Sequence, residues 1–139
     1  MLVAMSSAST EMLGRRKEQD ALAVVHSWMK LSEKPMQYAI ALPAQQSIVK
    51  MIRQSKVFAL AVLPESYKRR LEQMKHTDGL LVDLFAELGL KKVQCEKIDC
   101  VRIAEAQQHM ECELIAELPL DRIILFIGKV IRTEPPLSP

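Results

Sequence analysis

The run His26-Ser27-Trp28 sets an imidazole, a hydroxyl and an indole side by side at the end of an apolar stretch, residues 21–28. At a strand end, such a trio can take an aromatic, polar ligand by stacking and hydrogen bonding. The plainer account is a core tryptophan beside a capping serine. Other templates for chemistry are absent from the sequence. His26, His76 and His109 fall on different elements, and no two have the short spacing of metal ligands. The three cysteines, Cys95, Cys100 and Cys112, are an odd number and make a poor disulfide framework. The four-residue gap between the first two does not match a zinc knuckle, so structural thiols and no metal are expected. Four glycines are too scattered for a phosphate loop or dinucleotide fingerprint, and neither His-Glu-x-x-His nor Gly-x-Ser-x-Gly occurs.

The elements that must position the trio follow from hydrophobic patterning. Residues 2–5 read as a strand, residues 6–19 as a polar loop or hairpin tip, and residues 21–28 as a second strand. The best-defined unit is strand, helix, strand over residues 37–64. Its outer runs, 37–42 and 57–63, are apolar and suit strands buried on both faces. Between them Ile48, Met51 and Ile52 recur at helical spacing, with Ser47 placed to cap the helix. After Pro64, Tyr67, Leu71 and Met74 mark a one-sided helix. Residues 80–88 read as a further helix that Gly89 stops, with Leu90 packing back. Residues 91–105 read as irregular, with one short strand at most. Residues 109–116 alternate, with Met110, Cys112, Leu114 and Ala116 on one face and His109, Glu111 and Glu113 on the other. Pro119-Leu120-Asp121 reads as a turn, residues 122–127 as a last strand, and Gly128 as a bulge or a close approach. Strands at both ends with helices between predict a mainly β chain, a barrel with helical insertions.

Composition narrows the function classes. At 139 residues the chain is expected to form one domain over residues 1–133, with 134–139 an extended, proline-rich tail. Nineteen basic and 17 acidic residues nearly cancel, so charge points to neither nucleic acid nor an anionic membrane. The longest apolar run is too short to span a bilayer, and the first five residues are too short for a signal-peptide core. A cytoplasmic location is expected.

The order of short patterns resembles the flavin reductase-like family of FMN-binding split barrels, in its flavoredoxin-type branch. The patterns are Leu2-Val-Ala-Met-Ser-Ser7, Ser27-Trp28, Ser32-Glu-Lys-Pro35 with Tyr38-Ala-Ile-Ala-Leu42, and Ser55-Lys-Val-Phe58. They continue with Gly79, Asp83-Leu-Phe85 and Gly89-Leu90, then Glu111-Cys112-Glu113, Pro119-Leu120-Asp121 and Phe126-Ile-Gly-Lys-Val130. The resemblance implies a split β-barrel, a homodimer, and FMN held near the subunit interface. Flavin reduction or electron transfer with a reduced nicotinamide or a protein donor would follow. It implies cofactor contacts at His26, Ser27, Trp28, Met29, Lys30, Gln46, Ser47 and Ala61. At several positions the sequence departs from the family pattern. Gln46-Ser47-Ile48 stands in place of Arg-aromatic-Thr, Ala61 in place of Asn, and Asp78-Gly79-Leu80 in place of Ser-Gly-Arg. The alternative expectation is therefore a split barrel that has lost flavin binding and serves as a structural or binding module.

Overall fold

The computed structural model describes residues 1–12 and 15–135. In chain order the strands are β1 (Leu2–Met12), β2 (Arg15–Val25), β3 (Ser27–Glu33), β4 (Met36–Pro43) and β5 (Val57–Val62). They continue with β6 (Lys92–Gln94), β7 (Val101–Ile103), β8 (Gln108–Leu120) and β9 (Ile123–Glu134). The helices are α1 (Ser47–Ser55), α2 (Lys68–Gln73), which follows a 3₁₀ turn at Glu65–Tyr67, and α3 (Leu84–Leu88). Seven strands form one antiparallel sheet in the order β2-β1-β5-β8-β9-β4-β3, and β6 and β7 pair separately. The edge strands β2 and β3 do not pair with each other, so the sheet curls without closing. This is a mainly β chain with helical insertions.

The strands at the middle of the fold are covered on both sides, which is why they read as continuous apolar runs. On β1, Leu2 and Ala4 join the layer that α1 packs on, while Val3 and Met5 face the layer made with α2 and α3. On β5, Phe58 and Leu60 take the first side and Ala59 and Ala61 the second. Helix α1 buries Ile48, Val49, Met51 and Ile52 in the first layer. Leu71 of α2 and Leu84, Phe85 and Leu88 of α3 fill the second. Asp83 caps α3 by accepting from Ala86 N at 3.2 Å, and Gly89 ends it at φ 66° with Leu90 N–H on Phe85 O at 2.8 Å. Gly128 marks a close approach, since a Cβ there would lie 2.5 Å from Phe58 Cζ.

Several elements differ from the sequence reading. The polar stretch 6–19 is a long hairpin, with β1 running to Met12 and β2 starting at Arg15, and the tip residues 13–14 lie outside the described residues. Backbone pairing with the neighbouring strand, not an apolar pattern, carries these residues into the sheet. The strand of residues 21–28 is broken at His26, and Ser27-Trp28 begin β3, which pairs with β4 instead of β1. Strand β4 is not buried on both faces: Ile40 and Leu42 are buried, while its remaining side chains are half-buried or exposed. The helix over residues 80–88 shortens to α3, because residues 78–82 turn instead. Residues 91–105 contain two short strands, β6 and β7. Pro119 and Leu120 remain in β8 opposite Ile124 and Ile123, and the turn falls at Asp121-Arg122. Glu134 closes β9, and of the predicted tail, residues 136–139 lie outside the described residues.

Candidate functional site

The start of α1 opens onto a cavity of about 350 Å³ lined by Pro43, Gln45, Gln46, His76 and Asp78. Ser47 is the first helical residue, not the cap, and Gln46 at the cap position makes no capping hydrogen bond with its side chain. The cap arrives from 31 residues away. Asp78 Oδ2 accepts the Ser47 N–H and the Ser47 hydroxyl, each at 2.9 Å, and Oδ1 accepts the Leu80 N–H at 2.9 Å. Burial pushes the Asp78 carboxyl up, but these donors, with the Leu81 N–H, outweigh it and hold the group below its usual range. The next residue fixes the loop. Gly79 lies so close to β2 that a Cβ would sit 2.0 Å from Leu22 O, so only glycine lets the chain pass there. Gln46 is 8% exposed, and its Oε1 is buried with no hydrogen-bond partner.

The other residues singled out by the sequence lie elsewhere. His26 is exposed between β2 and β3, and Ser27, Trp28, Met29 and Lys30 are exposed along the edge strand β3. Trp28 and Tyr38 place their ring centroids 6.1 Å apart at 40°, and Lys30 Nζ meets Glu33 Oε1 at 3.1 Å. Ser27 pairs with Ala41, two residues before Pro43 of the cavity. Ala61 is fully buried in the layer with α2 and α3, on the face of β5 turned away from α1. The structure thus brings Gln46 and Ser47 together with Asp78. His26 to Lys30 form a separate exposed strip, and Ala61 is placed in packed core.

A second polar cluster lies inside the α2–α3 layer. Glu111, fully buried, accepts from Lys97 N at 2.6 Å and Ile98 N at 3.2 Å on Oε1, and from Glu96 N at 3.2 Å on Oε2. Arg132 and His109 Nε2 reach Oε2 at 3.2 and 3.3 Å. Burial raises the Glu111 carboxyl, yet the backbone donors from Lys97 and Glu96 and the contact with His109 hold it low. Burial also pushes His109 down, against the pull of Glu111. Cys95 Sγ lies 3.9 Å from His109 Nε2, and the three ligand atoms of Cys95, His109 and Glu111 fall within 4.8 Å of one another. A hydrogen bond with Cys100 and burial raise the Cys95 thiol above its ordinary range. With the Arg132 guanidinium on the same carboxylate oxygen, the cluster works as a hydrogen-bonded knot that fastens loop 95–100 to β8.

Sequence reasoning missed both Asp78 and this knot. Alternation assigned His109 and Glu111 to an open face, but loop 95–100 covers it. Asp78-Gly79 carried the one available signal, an acidic residue ahead of a glycine beside a helix start.

The comparisons with known proteins agree on the architecture. The profile of the flavin reductase-like domain family matches residues 3–138, so the chain belongs to that family. Solved structures superpose over most of the chain. Flavoredoxin from Methanosarcina acetivorans has a TM-score of 0.75 at 14% identity, covering 95% of this chain and 66% of its own. A Shewanella frigidimarina protein assigned as a flavin reductase with split barrel domain has a TM-score of 0.74 at 14% identity, with 95% and 65% covered. The NADH:FAD oxidoreductase of Streptomyces globisporus has a TM-score of 0.68 at 20% identity, with 95% and 73% covered. These likenesses show the split-barrel fold, and the chain spans about two thirds of the length of those structures. A search of curated sequences gives no significant match. Family membership supports a flavin-related electron-transfer role. Among the described residues, no helix is long and apolar enough to cross a membrane.

FMN, the cofactor that the resemblance implies, meets an obstacle here. A helix N-terminus attracts phosphate because its free N–H groups and dipole favour an anion. At α1 the Ser47 N–H and hydroxyl already hold the Asp78 carboxylate, and the residues lining the cavity supply no Arg or Lys. Two like charges about 4 Å apart near a protein surface repel by roughly 4 kcal/mol. The residues present do not fit a phosphate at this helix.

Proposed function

We propose that this chain is a flavin-related electron-transfer domain that takes flavin as an exchangeable ligand, without a charged phosphate clamp. Family membership supports the flavin class. The observation that carries the reading is that membership, and the site it is assigned to is the cavity at the head of α1, lined by Pro43, Gln45, Gln46, His76 and Asp78. The exposed strip His26, Ser27, Trp28, Met29 and Lys30 lies toward the same end of the sheet and offers an indole for a flavin ring to stack on. A homodimer belongs to this proposal. Trp28 is 54% and Met29 62% exposed, and a second copy against β3 would exclude water from a ring bound there. A flavin, with a protein donor or a reduced nicotinamide, is the partner this reading expects. The reduced nicotinamide is consistent with the NADH:FAD oxidoreductase named above.

One observation favours a second reading, a binding or structural module without flavin. It is Asp78, whose carboxylate satisfies the helix that a phosphate would otherwise satisfy. Titration of the purified protein with riboflavin and with FMN, followed by quenching of flavin fluorescence, separates the two. Saturable quenching in the micromolar range supports the flavin domain. No quenching by either compound at several hundred micromolar leaves the module.

A further inference from the structure

We infer that Cys95 and Cys100 are a dithiol–disulfide pair, and that closing the disulfide latches loop 96–99 onto Glu111. The pair stands at the head of the β6–β7 hairpin, whose register runs Lys92↔Ile103, Val93↔Arg102 and Gln94↔Val101. The next step of that ladder sets Cys95 opposite Cys100, and the Cys95 N–H donates to Cys100 O at 2.9 Å. Directly opposed antiparallel residues point their side chains to one face, with Cα atoms about 4.5–5.5 Å apart. That separation lies inside the roughly 4.4–6.8 Å that a disulfide spans. Both cysteines are buried in the layer with α2 and α3, and their thiols share a hydrogen bond. The other contacts of Cys100 Sγ are weak sulfur ones, to Met5 O at 3.4 Å and Val101 O at 3.5 Å, so oxidation gives up little. Three thiols leave one over, and the sheet decides which. Cys112 is buried in the layer with α1, so β8 lies between it and the pair.

The oxidant this chemistry needs is a small-molecule disulfide such as oxidised glutathione. One protein thiolate attacks it, the second resolves the mixed disulfide, and one S–S bond forms within the chain. The two electrons and both thiol protons leave on the two reagent thiols released. Glu96, Lys97 and Asp99 are exposed in the turn between the cysteines, and a hairpin of three paired residues opens at small cost. The same turn carries the N–H groups of Glu96, Lys97 and Ile98 that hold the Glu111 carboxylate. A disulfide at its base keeps those donors aimed at Glu111, so the thiol state sets how firmly the loop is fastened to β8. This pair stands apart from the flavin reading and does not depend on it.

The test equilibrates the full chain in glutathione buffers of falling reduced-to-oxidised ratio, then unfolds, alkylates and digests it with trypsin. Lys97 lies between the two cysteines, so cleavage leaves residues 93–97 and 98–102 as separate peptides unless a disulfide joins them. The joined pair is expected in oxidising buffer, with Cys112 alkylated throughout and the pair released by reductant. Refolding from urea in the same buffers is expected to give the same product, which removes slow access to buried thiols as a reason for failure. Hydrogen exchange at the Lys97 and Ile98 amides is expected to slow about tenfold on oxidation. Cys112→Ser is expected to keep both responses, and Cys95→Ser and Cys100→Ser each to abolish them. Three alkylated thiols after refolding in oxidised glutathione overturn the inference. So does a disulfide that involves Cys112 or joins two chains, or a mixed disulfide with glutathione that persists. A joined pair with unchanged exchange at both amides overturns it as well, because the bond would then latch nothing.

Discussion

Asp78 and Glu111 are both carboxylates gripped by backbone N–H groups, yet they stand in opposite surroundings. Glu111 is fully buried, holds three backbone donors, and has an arginine and a histidine on the same oxygen. Asp78 is half-buried on an open cavity, holds two backbone donors and a hydroxyl, and has no Lys or Arg among the residues lining that cavity. The first carboxylate is compensated on every side and ties two segments together. The second is compensated on one side only, which leaves its charge felt by whatever enters the cavity. A buried carboxylate paired with cations contributes to the fold; a half-open one with no Lys or Arg beside it keeps its charge toward the cavity.

Removing Glu111 should have the largest effect. Glu111→Ala leaves the N–H groups of Glu96, Lys97 and Ile98 without an acceptor and the Arg132 guanidinium without one of its carboxylate partners. Breaking such a buried set by deleting one member costs about 3–5 kcal/mol. Urea denaturation should show that loss in the midpoint. A loss below about 1 kcal/mol would place the two carboxylates in the same class and dissolve the contrast.

The pH dependence sharpens it further. Burial depresses the His109 folded value below its ordinary 6.5, in surroundings that include Glu111, Arg102 and Arg132. A depressed folded value means that the unfolded chain binds more protons, so stability is complete above about pH 6.5 and falls as the pH drops below it. Asp78 is also depressed, from an ordinary 3.8, so its contribution is complete above that value and is lost only as the pH falls lower. Denaturation between pH 7.5 and 5 should therefore show a decline of stability in wild type that His109→Phe removes and Asp78→Asn leaves intact. The same slope in all three proteins would locate the decline elsewhere.

Much of the fold is legible in the sequence where one element supplies its own pattern. Helix α1 shows itself through Ile48, Met51 and Ile52, which it buries on one face, and β5 through an unbroken apolar run, because it is covered on both. The stop at Gly89 is legible because the left-handed conformation nearly names its residue. What stays hidden depends on distant partners. Half of the long β1–β2 hairpin is polar and is set by its ladder, and backbone pairing needs no particular side chain. His26 breaks the second strand at a position where the residues around it look continuous. His109 and Glu111 alternate like a solvent face until loop 95–100, from 14 residues away, covers them. The site shows the same division. Ser47 is found from the local helix start and Gln46 from the family resemblance, but the cap that redefines them comes from Asp78, which no local pattern ties to residue 47.

The smallest effect is also the most diagnostic of how Asp78 is held. Ser47 donates twice to Oδ2, from its N–H and from its hydroxyl, each at 2.9 Å. Ser47→Ala removes the hydroxyl donor and keeps the backbone one, so the helix start stays capped. The expected loss of stability is about 0.5–1.5 kcal/mol, the net worth of one hydrogen bond to a partly solvated group. Losing a donor to the charged form also raises the Asp78 carboxyl, so acid unfolding should begin at a slightly higher pH than in wild type. A Ser47→Ala protein with unchanged stability and unchanged acid midpoint would mean that the backbone N–H groups alone hold Asp78, and that the anion-repelling character of the cavity belongs to the helix start and the Gly79 loop without the serine.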